Sequence, residues 1–549
     1  MTFESDIKTA LKKAGISDAS LEAPKNPEFG DLSFACFKLG GNPVEHAKTI
    51  AAKIQPSGMI SKVVATGPYV NFYINNAKII ETTVTAALKK DFGAGNSKGK
   101  ALVEHTSINP NASPHVGRAR NAILGDSIVR ILKLYGYDVE THYFVNDIGK
   151  QIAMLVYTVR KNKIKKFTFD EMLDMYIRIN ADMITNATVE KDVFELLNKL
   201  EQGDKKTTVE FQKVVGIAVK GQLSLLNELG IHYDVFDYES SLLKAAELKY
   251  ALKKLNKRLS KDSEGRKVLD LSEFNLPMKE PVLPITRANG TSLYALRDIA
   301  YHIRKAKTVK NGKNVIVLGE DHKLEHLQIK AALSLLKIKA PEPVFYSFIL
   351  LSDGKMSTRK GNVVLLKEFM SEAVEKARQE ILKRNADIKP AELEQIAKVI
   401  GYSAIKYAFL KVSPDKNIIF NWEEALNFEG NSAPYILYTA VRAKKILEKV
   451  KAAKPKQIKL ENPSEIKLVK KMAEFPGIVS ICAEKYVPHV LANYTFELAA
   501  CFSEFYEQCR VTDEPDADIK NSRALLVKAY LNVITNAAEL LGMTVPNFM

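Results

Sequence analysis

Ala101-Leu-Val-Glu-His-Thr106, followed by Ser107-Ile-Asn-Pro-Asn-Ala-Ser-Pro-His-Val-Gly-Arg118, decides how this chain folds. The first six residues read as a strand, and the polar loop after them runs into a helical pattern near Arg118. There Ala119, Ala122, Ile123, Val129 and Leu132 share one helical face, and Gly136 suits the C-terminal cap. Asp138–Val145 then alternates Val139, Thr141, Tyr143 and Val145 like a second strand. Strand, helix and strand in so short a span predict a parallel pair joined by a right-handed crossover.

Two more strands are predicted further along. Asn314–Leu318 ends in Gly319-Glu-Asp-His322, and Val344–Leu351 ends in Ser352-Asp-Gly354. Continuous apolar runs of this kind suit a parallel sheet covered on both faces. Between the two pairs, residues 151–270 read as mostly helical and strongly charged, with basic clusters at Arg160–Lys166 and Lys253–Lys267, which predicts an insertion. Beyond Val364 the pattern is helical to the end. Residues 1–92 form a first unit, opening on a helical pattern (Ile7, Leu11, Ala14) and closing on strand-like Val63–Ile74. The Gly/Ser/Lys stretch Phe92–Lys100 is a linker; its Gly93 and Gly99 have the wrong spacing for a phosphate loop, and it precedes a strand.

The 549 residues imply several domains. A content of 46% hydrophobic and 26% charged residues is that of folded protein, and no apolar run approaches the ~20 residues that span a bilayer. Lys and Arg outnumber Asp and Glu by 80 to 64, a net charge of +16, which fits a polyanionic partner or a solubilising surface. Cys36, Cys482, Cys501 and Cys509 form no CxxC pair, so neither a zinc site nor a disulfide framework is indicated. Cys501 and Cys509 suit one buried helical face. Met1–Ala14 carries Glu4 and Asp6 and has no signal-peptide core, so a reducing cytoplasm is expected.

In open parallel sheets ligands bind beyond the carboxyl ends of the strands, and the loop Ser107–Arg118 sits at such an end. It runs into a helix N-terminus, whose free N–H groups and dipole favour phosphate. His115 can donate to phosphate oxygens, and Gly117 lets a nucleotide approach the backbone; the plain alternative is a strand–helix loop with an incidental histidine. In Asp353-Gly-Lys-Met-Ser-Thr-Arg-Lys-Gly-Asn362, the cations Lys355, Arg359 and Lys360 can stabilise charge on a triphosphate, or form a solvated basic turn. His322 and His326 lie four apart, but a third ligand is missing and no metal site is expected.

His115-Val-Gly-Arg118 and Lys355-Met-Ser-Thr-Arg359 resemble, in that order, the HIGH-type and KMSKS-type signatures of class I aminoacyl-tRNA synthetases. Val103-Glu-His-Thr-Ser-Ile-Asn-Pro110, Phe144-Val-Asn-Asp-Ile-Gly-Lys-Gln-Ile152 and Asn289-Gly-Thr-Ser-Leu-Tyr-Ala-Leu-Arg-Asp298 are similar to segments of the arginyl enzymes. So are Phe428-Glu-Gly-Asn-Ser-Ala-Pro-Tyr435 with Tyr438 and Arg442, the terminal Leu541–Met549, and Phe29-Gly-Asp31 with Gly67-Pro-Tyr-Val-Asn-Phe72. The resemblance to arginyl-tRNA synthetases spans nearly the whole chain.

That resemblance implies a multidomain α/β fold. A Rossmann-type parallel-sheet catalytic domain would carry a helical insertion, beside an N-terminal α+β domain and a C-terminal all-α anticodon-binding domain. The expected divisions are an N-terminal tRNA-contacting domain (1–92), the first catalytic half (93–150) and the insertion (151–270). The second catalytic half (271–364), a helical connector (365–425) and the anticodon-binding domain (426–549) would follow. The implied reaction is ATP-dependent activation of arginine and its transfer to tRNA, with no covalent enzyme intermediate. Mg²⁺ would come with ATP, tRNA would be needed for the first step, and the enzyme would be a cytoplasmic monomer.

Five guanidinium donors and a fixed charge call for carboxylates in fork geometry, which lysine uses less well. By resemblance Glu104 and Asp298 would hold that end with Tyr294 alongside, while Asn109, His115 and His322 meet the rest of arginine. The alternative for Glu104 and Asp298 is a structural pairing with nearby Arg or Lys. Asn111, His115, Gly117, Lys355, Met356 and Ser357 would bind ATP, with Arg118, Arg359 and Lys360 added to the catalytic set. Tyr435, Tyr438, Arg442 and Lys445 would contact tRNA, the rings stacking on bases and the cations meeting phosphates. Two positions depart from the common signatures: Arg118 stands where histidine is usual, and Thr358 where many class I enzymes carry lysine. They leave open a catalytically silent tRNA-binding paralogue, and another class I synthetase is the separate alternative.

Overall fold

The computed structural model describes residues 3–351, 364–450, 453, 455 and 457–549. The chain forms two compact units, Met1–Phe92 with Thr439–Gly477 and Thr495–Asn536, and Gly93–Tyr438 with Ile478–Tyr494 and Ala537–Met549.

In the first unit a four-stranded antiparallel sheet runs in the order Leu21–Glu22, Leu32–Ala35, Tyr69–Ile74, Ile60–Thr66. Helices Phe3–Lys13 and Pro43–Lys53 bury Ile7, Leu11, Ala47 and Ile50 against Phe34, Val70 and Phe72. The single strand expected over Val63–Ile74 is therefore a hairpin, because Gly67-Pro68 turns the chain back on itself. Residues 439–477 and 495–536 of the same unit are mainly helical; Phe502 stacks on Tyr530 with centroids 4.0 Å apart, and Asn532 Nδ2 donates to the Leu88 carbonyl at 2.9 Å.

The second unit is built on a five-stranded, all-parallel sheet. Its order is Glu342–Tyr346, Lys313–Gly319, Gly99–Glu104, Tyr137–Val145, Val235–Tyr238. The expected βαβ unit is present: helix Val116–Leu134 links the paired strands Gly99–Glu104 and Tyr137–Val145 and buries Ala119, Ala122, Ile123, Val129 and Leu132. From the central strand the chain steps outward to Tyr137–Val145 and Val235–Tyr238, then returns on the other side as Lys313–Gly319. The order reverses between Gly99–Glu104 and Lys313–Gly319, the place where such sheets open a ligand crevice.

Three expectations change. Within the stretch read as a helical insertion, helices Lys150–Lys161, Glu171–Thr185, Ala187–Gln202 and Lys205–Glu228 are followed by Val235–Tyr238, which joins the main sheet. Val344–Leu351 is not one strand. It breaks at Ser347, whose N–H donates to Pro414 O at 2.9 Å, and Ile349–Leu351 pairs with Ile418–Phe420 instead. That second strand also interrupts the helices expected beyond Val364.

Helices Leu366–Arg384 and Pro390–Leu410 cross at Gly401, where an added Cβ would lie 2.8 Å from Ala373 O. Backbone cannot yield as a side chain can. Gly401→Val should therefore destabilise this unit by roughly 1–3 kcal/mol, read as a lowered melting temperature. An unchanged melting curve would mean that the crossing has room to spare.

Candidate active site

Beyond the carboxyl ends of the central strands lies a cavity of about 440 Å³. Glu104 and Thr106, Phe144 and Asn146, and Leu318 and Gly319 bring the three strand ends to its lining. The first loop leaves the sheet abruptly, since Thr106 (φ 78°) and Ser107 (φ 42°) are both left-handed without being glycine. Side chains hold that bend. Tyr233 Oη donates to Thr106 Oγ1 at 2.6 Å, and Asn121 Oδ1 accepts from Thr106 N at 2.6 Å. Asn121 Nδ2 also donates to Val317 O at 3.0 Å, tying the loop to the neighbouring strand.

His115 stands immediately before helix Val116–Leu134. Its ring folds back over Gly117, where a Cβ would come within 3.0 Å of the imidazole, so a side chain at 117 would have to push the ring aside. Burial, helped by the charge of Arg118, lowers the His115 pKa to about 4, so the ring is neutral and offers one N–H. Positive charge at this end of the lining comes from Arg118.

The opposite wall is acidic. Helix Tyr294–Val309 turns Tyr294, Asp298, Tyr301 and His302 toward the cavity, at the spacing of one helical face. Glu104 is committed to an ion pair with buried Lys305, which lies 4.7 Å from the centre of the Tyr301 ring. Tyr301 Oη in turn donates to Asp237 Oδ2 at 2.8 Å, and Asp237 meets His142 Nδ1 at 2.6 Å. Glu239 accepts from Arg297 Nε at 2.6 Å. Asp298 alone of these wall carboxyls has no hydrogen-bond or ion-pair partner among the described residues. Burial, then the neighbouring Glu239, Glu325 and Glu104, hold its pKa well above the usual carboxylate range.

The residues singled out in the sequence thus separate. Glu104, Arg118, Tyr294, Asp298 and His322 line one cavity. Glu104 lines the cavity while its charge is paired with Lys305, the kind of structural pairing that the sequence left as the alternative. His322 sits at the lining with Nδ1 2.8 Å from Glu325 Oε2, a contact that raises its pKa. Asn109 is exposed, outside the lining, with Nδ2 donating to Gln151 Oε1 at 3.1 Å. Asn111 and Gly117 lie in the same loop and helix start without lining the cavity. Lys355, Met356, Ser357, Thr358, Arg359 and Lys360 lie outside the described residues. Tyr435, Tyr438, Arg442 and Lys445 all fall on helix Ala433–Lys449, with Tyr438 and Lys445 exposed and the Arg442 guanidinium 4.2 Å from the centre of the Tyr506 ring.

Several lining groups had gone unnoticed. Tyr301 and His302 follow Tyr294 and Asp298 on one helix, so extending the helical period finds them, with Lys305, the partner of Glu104, a turn further on. Among the described residues Asn146 Oδ1 and His302 Nδ1 are buried without a hydrogen-bond partner, as is Nε2 of His326, already considered as a metal ligand. Glu239 carried no signal, because it follows a strand hidden in a charged helical stretch.

Comparison with known proteins agrees with this architecture along the chain. The family model described as "tRNA synthetases class I (R), catalytic domain" matches residues 83–422. The "Arginyl tRNA synthetase N terminal domain" matches residues 1–74, and the "DALR anticodon binding domain" residues 436–549. The arginine–tRNA ligase of Methanosarcina barkeri is 37% identical over 563 residues, covering 99% of this chain and 98% of the relative. That of Methanocaldococcus jannaschii is 38% identical, with both chains covered in full (100% each). Among solved structures, Thermus thermophilus arginyl-tRNA synthetase superposes with a TM-score of 0.85 at 26% identity, covering 100% of this chain and 99% of that one.

Two outcomes are expected at this site. Lys305→Met strands a buried carboxylate and should cost about 3–5 kcal/mol in denaturant unfolding, most of it recovered in Glu104→Met/Lys305→Met. No recovery in the double variant would mean that the pair does not act as a unit. Burial lowers His105 to about 3, and His115 and His326 to about 4, so all three should stay neutral as pH falls from 7 to 5. Histidine NMR titration reads this directly; an imidazolium signal from His115 at pH 6 would contradict the environment described.

Proposed function

The chain belongs to the arginyl-tRNA synthetase family, and from that premise we infer that it ligates arginine to tRNA with ATP as the energy source. A carboxylate oxygen of arginine attacks the α-phosphorus of ATP, the bond to the β-phosphate oxygen breaks, and pyrophosphate leaves. The arginyl-adenylate then meets the terminal adenosine of tRNA, whose hydroxyl attacks the acyl carbon. The ester forms and AMP departs. No side chain forms a bond to substrate; the protein positions groups and stabilises charge.

The observation that carries the arginine reading is Asp298, a carboxyl on the acidic wall of the cavity with no ion-pair partner among the described residues. A guanidinium there supplies fixed charge and paired N–H donors. It relieves the repulsion from Glu239, Glu325 and Glu104, and so favours the charged form of Asp298. Tyr294, one turn before Asp298, lies along the same side chain. Asn109, Gln151 and His322 are suited to the α-amino and carboxylate end.

For ATP, neutral His115 donates one N–H to phosphate oxygen, Gly117 and Asn111 leave and line the approach, and Arg118 contributes charge. Lys355, Arg359 and Lys360 supply further cations to the leaving pyrophosphate, with Met356 and Ser357 beside the nucleotide; Lys355 is placed first among them. Mg²⁺ would enter on the phosphates, which with water provide its oxygen ligands; among the described residues no group of three His, Cys, Asp or Glu side chains converges to hold a metal ion. Tyr435, Tyr438, Arg442 and Lys445 are proposed to meet tRNA.

We further propose the division of labour 1–92, 93–150, 151–270, 271–364, 365–425 and 426–549, in a cytoplasmic monomer. Cys36, Cys482, Cys501 and Cys509 are buried free thiols, as suits a reducing compartment.

The test is exchange of labelled pyrophosphate into ATP, with each amino acid in turn, with and without tRNA. Exchange with arginine plus tRNA is expected, and its absence would sink the assignment. Asp298→Asn should lower kcat/KM for arginine by about 10²- to 10³-fold, the size of losing one partner of a desolvated charge pair, while tRNA affinity stays unchanged. Equal loss of both would make Asp298 structural.

A further inference from the structure

The loop that presents Asn109, Asn111 and His115 is held from beneath by a residue of the helical insertion. Gln222, on helix Lys205–Glu228, is 0% exposed. Its Nε2 donates to Asn109 O at 3.0 Å and to Ala112 O at 3.1 Å. Its Oε1 accepts from Tyr143 Oη at 3.0 Å. Tyr143, also 0% exposed, comes from the strand Tyr137–Val145 and accepts the Ile108 N–H at 3.2 Å. Two side chains thereby fix three backbone atoms of residues 108–112.

Shape alone does not call for these groups. Methionine would fill the volume of Gln222, and phenylalanine that of Tyr143, but the Asn109 and Ala112 carbonyls and the Ile108 N–H would then lose their partners. What the amide and hydroxyl add is direction. Both hydrogens of the Gln222 amide point at carbonyls of one turn of loop, and its oxygen is oriented by a phenol that also holds the preceding residue. A buried amide with all these partners has one arrangement. At its outer side the same loop is tied through Asn109 Nδ2 to Gln151 on helix Lys150–Lys161.

We propose that Gln222 and Tyr143 are positioning residues for adenylate formation. They hold residues 108–112 so that Asn109, Asn111 and His115 meet arginine and ATP in one fixed arrangement. The proposal rests on the ligase reading given above. Neither residue touches substrate. Their effect passes through the loop backbone, where a displacement of about 1 Å is enough to cost about 10²-fold in rate.

The experiment compares wild type, Gln222→Met and Tyr143→Phe in pyrophosphate exchange with tRNA present, with separate measurement of tRNA affinity and of thermal melting. Gln222→Met should lower kcat/KM for arginine and for ATP by about 10- to 100-fold, with tRNA affinity unchanged. Tyr143→Phe, which keeps the ring and loses only the hydroxyl, should shift the same two parameters in the same direction by less. That variant decides the question if Gln222→Met does not fold. Wild-type kinetics in folded variants would overturn the positioning role, as would a loss that falls equally on arginine, ATP and tRNA in step with lowered melting temperature. Should the wild type itself show no arginine-dependent exchange, the ligase reading fails and this proposal with it. Exchange in wild type with unaltered variants defeats the positioning role alone.

Discussion

The candidate site depends on how two parallel strands part. Gly99–Glu104 and Lys313–Gly319 stay in register as far as Glu104 opposite Ile316. Past that point the ladder would leave the Thr106 N–H and the Val317 carbonyl inside the protein without partners, at a cost of about 1–3 kcal/mol for each group. The Asn121 amide takes both. One side chain on the crossover helix thus continues the sheet's hydrogen bonding for one more step while allowing the strands to separate. The loop can then turn sharply through Thr106 and Ser107, whose left-handed backbone is sustained by Asn121 and Tyr233. The cavity and the placement of His115 at the helix start both follow from that turn.

Charge is the second constraint. A buried carboxylate is tolerated only with compensation, and the wall shows three cases of it: Glu104 with Lys305, Glu239 with Arg297, and Asp237 with His142. Asp298 is the exception, and an exception of this kind is where a ligand's charge has a place. On the reading proposed above, a cationic side chain bound there offsets the repulsion that Glu239, Glu325 and Glu104 exert on Asp298. On that proposed reading a neutral amino acid would leave Asp298 as it is, and discrimination would not require a shape that fits arginine alone. An ammonium would answer the charge but not the planar pair of donors, which is the remaining distinction from lysine.

The parts legible in the sequence are those governed by local period. Helix Val116–Leu134 and strand Tyr137–Val145 follow from apolar spacing, and the parallel pairing follows from the helix between them. Tyr294 and Asp298 share a face for the same reason. What stayed hidden depends on partners distant in sequence. The break at Ser347 comes from the segment around Ser413–Asp415: its hydroxyl donates to Asp415 O at 2.9 Å, and Arg120 reaches the Ser413 carbonyl at 3.1 Å as well as that of Ser347. No pattern within Val344–Leu351 reveals this. Glu104 looked available because Lys305 lies 201 residues away. Glu239 was invisible because a four-residue strand, Val235–Tyr238, is too short to announce itself among charged helices.

Those hidden contributions change the meaning of the stretch between the second strand and the return to the sheet. An insertion tolerated merely for lack of harm would face solvent and leave the site intact when removed. Here the strand Val235–Tyr238 covers the outer edge of Tyr137–Val145, and the turn after it carries Glu239 to the acidic wall. Helix Lys205–Glu228 sends Gln222 to the carbonyls of the first loop, and helix Lys150–Lys161 brings Gln151 to Asn109. Without these residues one wall of the cavity would lose a carboxylate, and buried loop carbonyls would lose their donors. The charged surface of the stretch describes only its outer face; a few uncharged polar residues on the inner face, Gln222 above all, tie it to the chemistry.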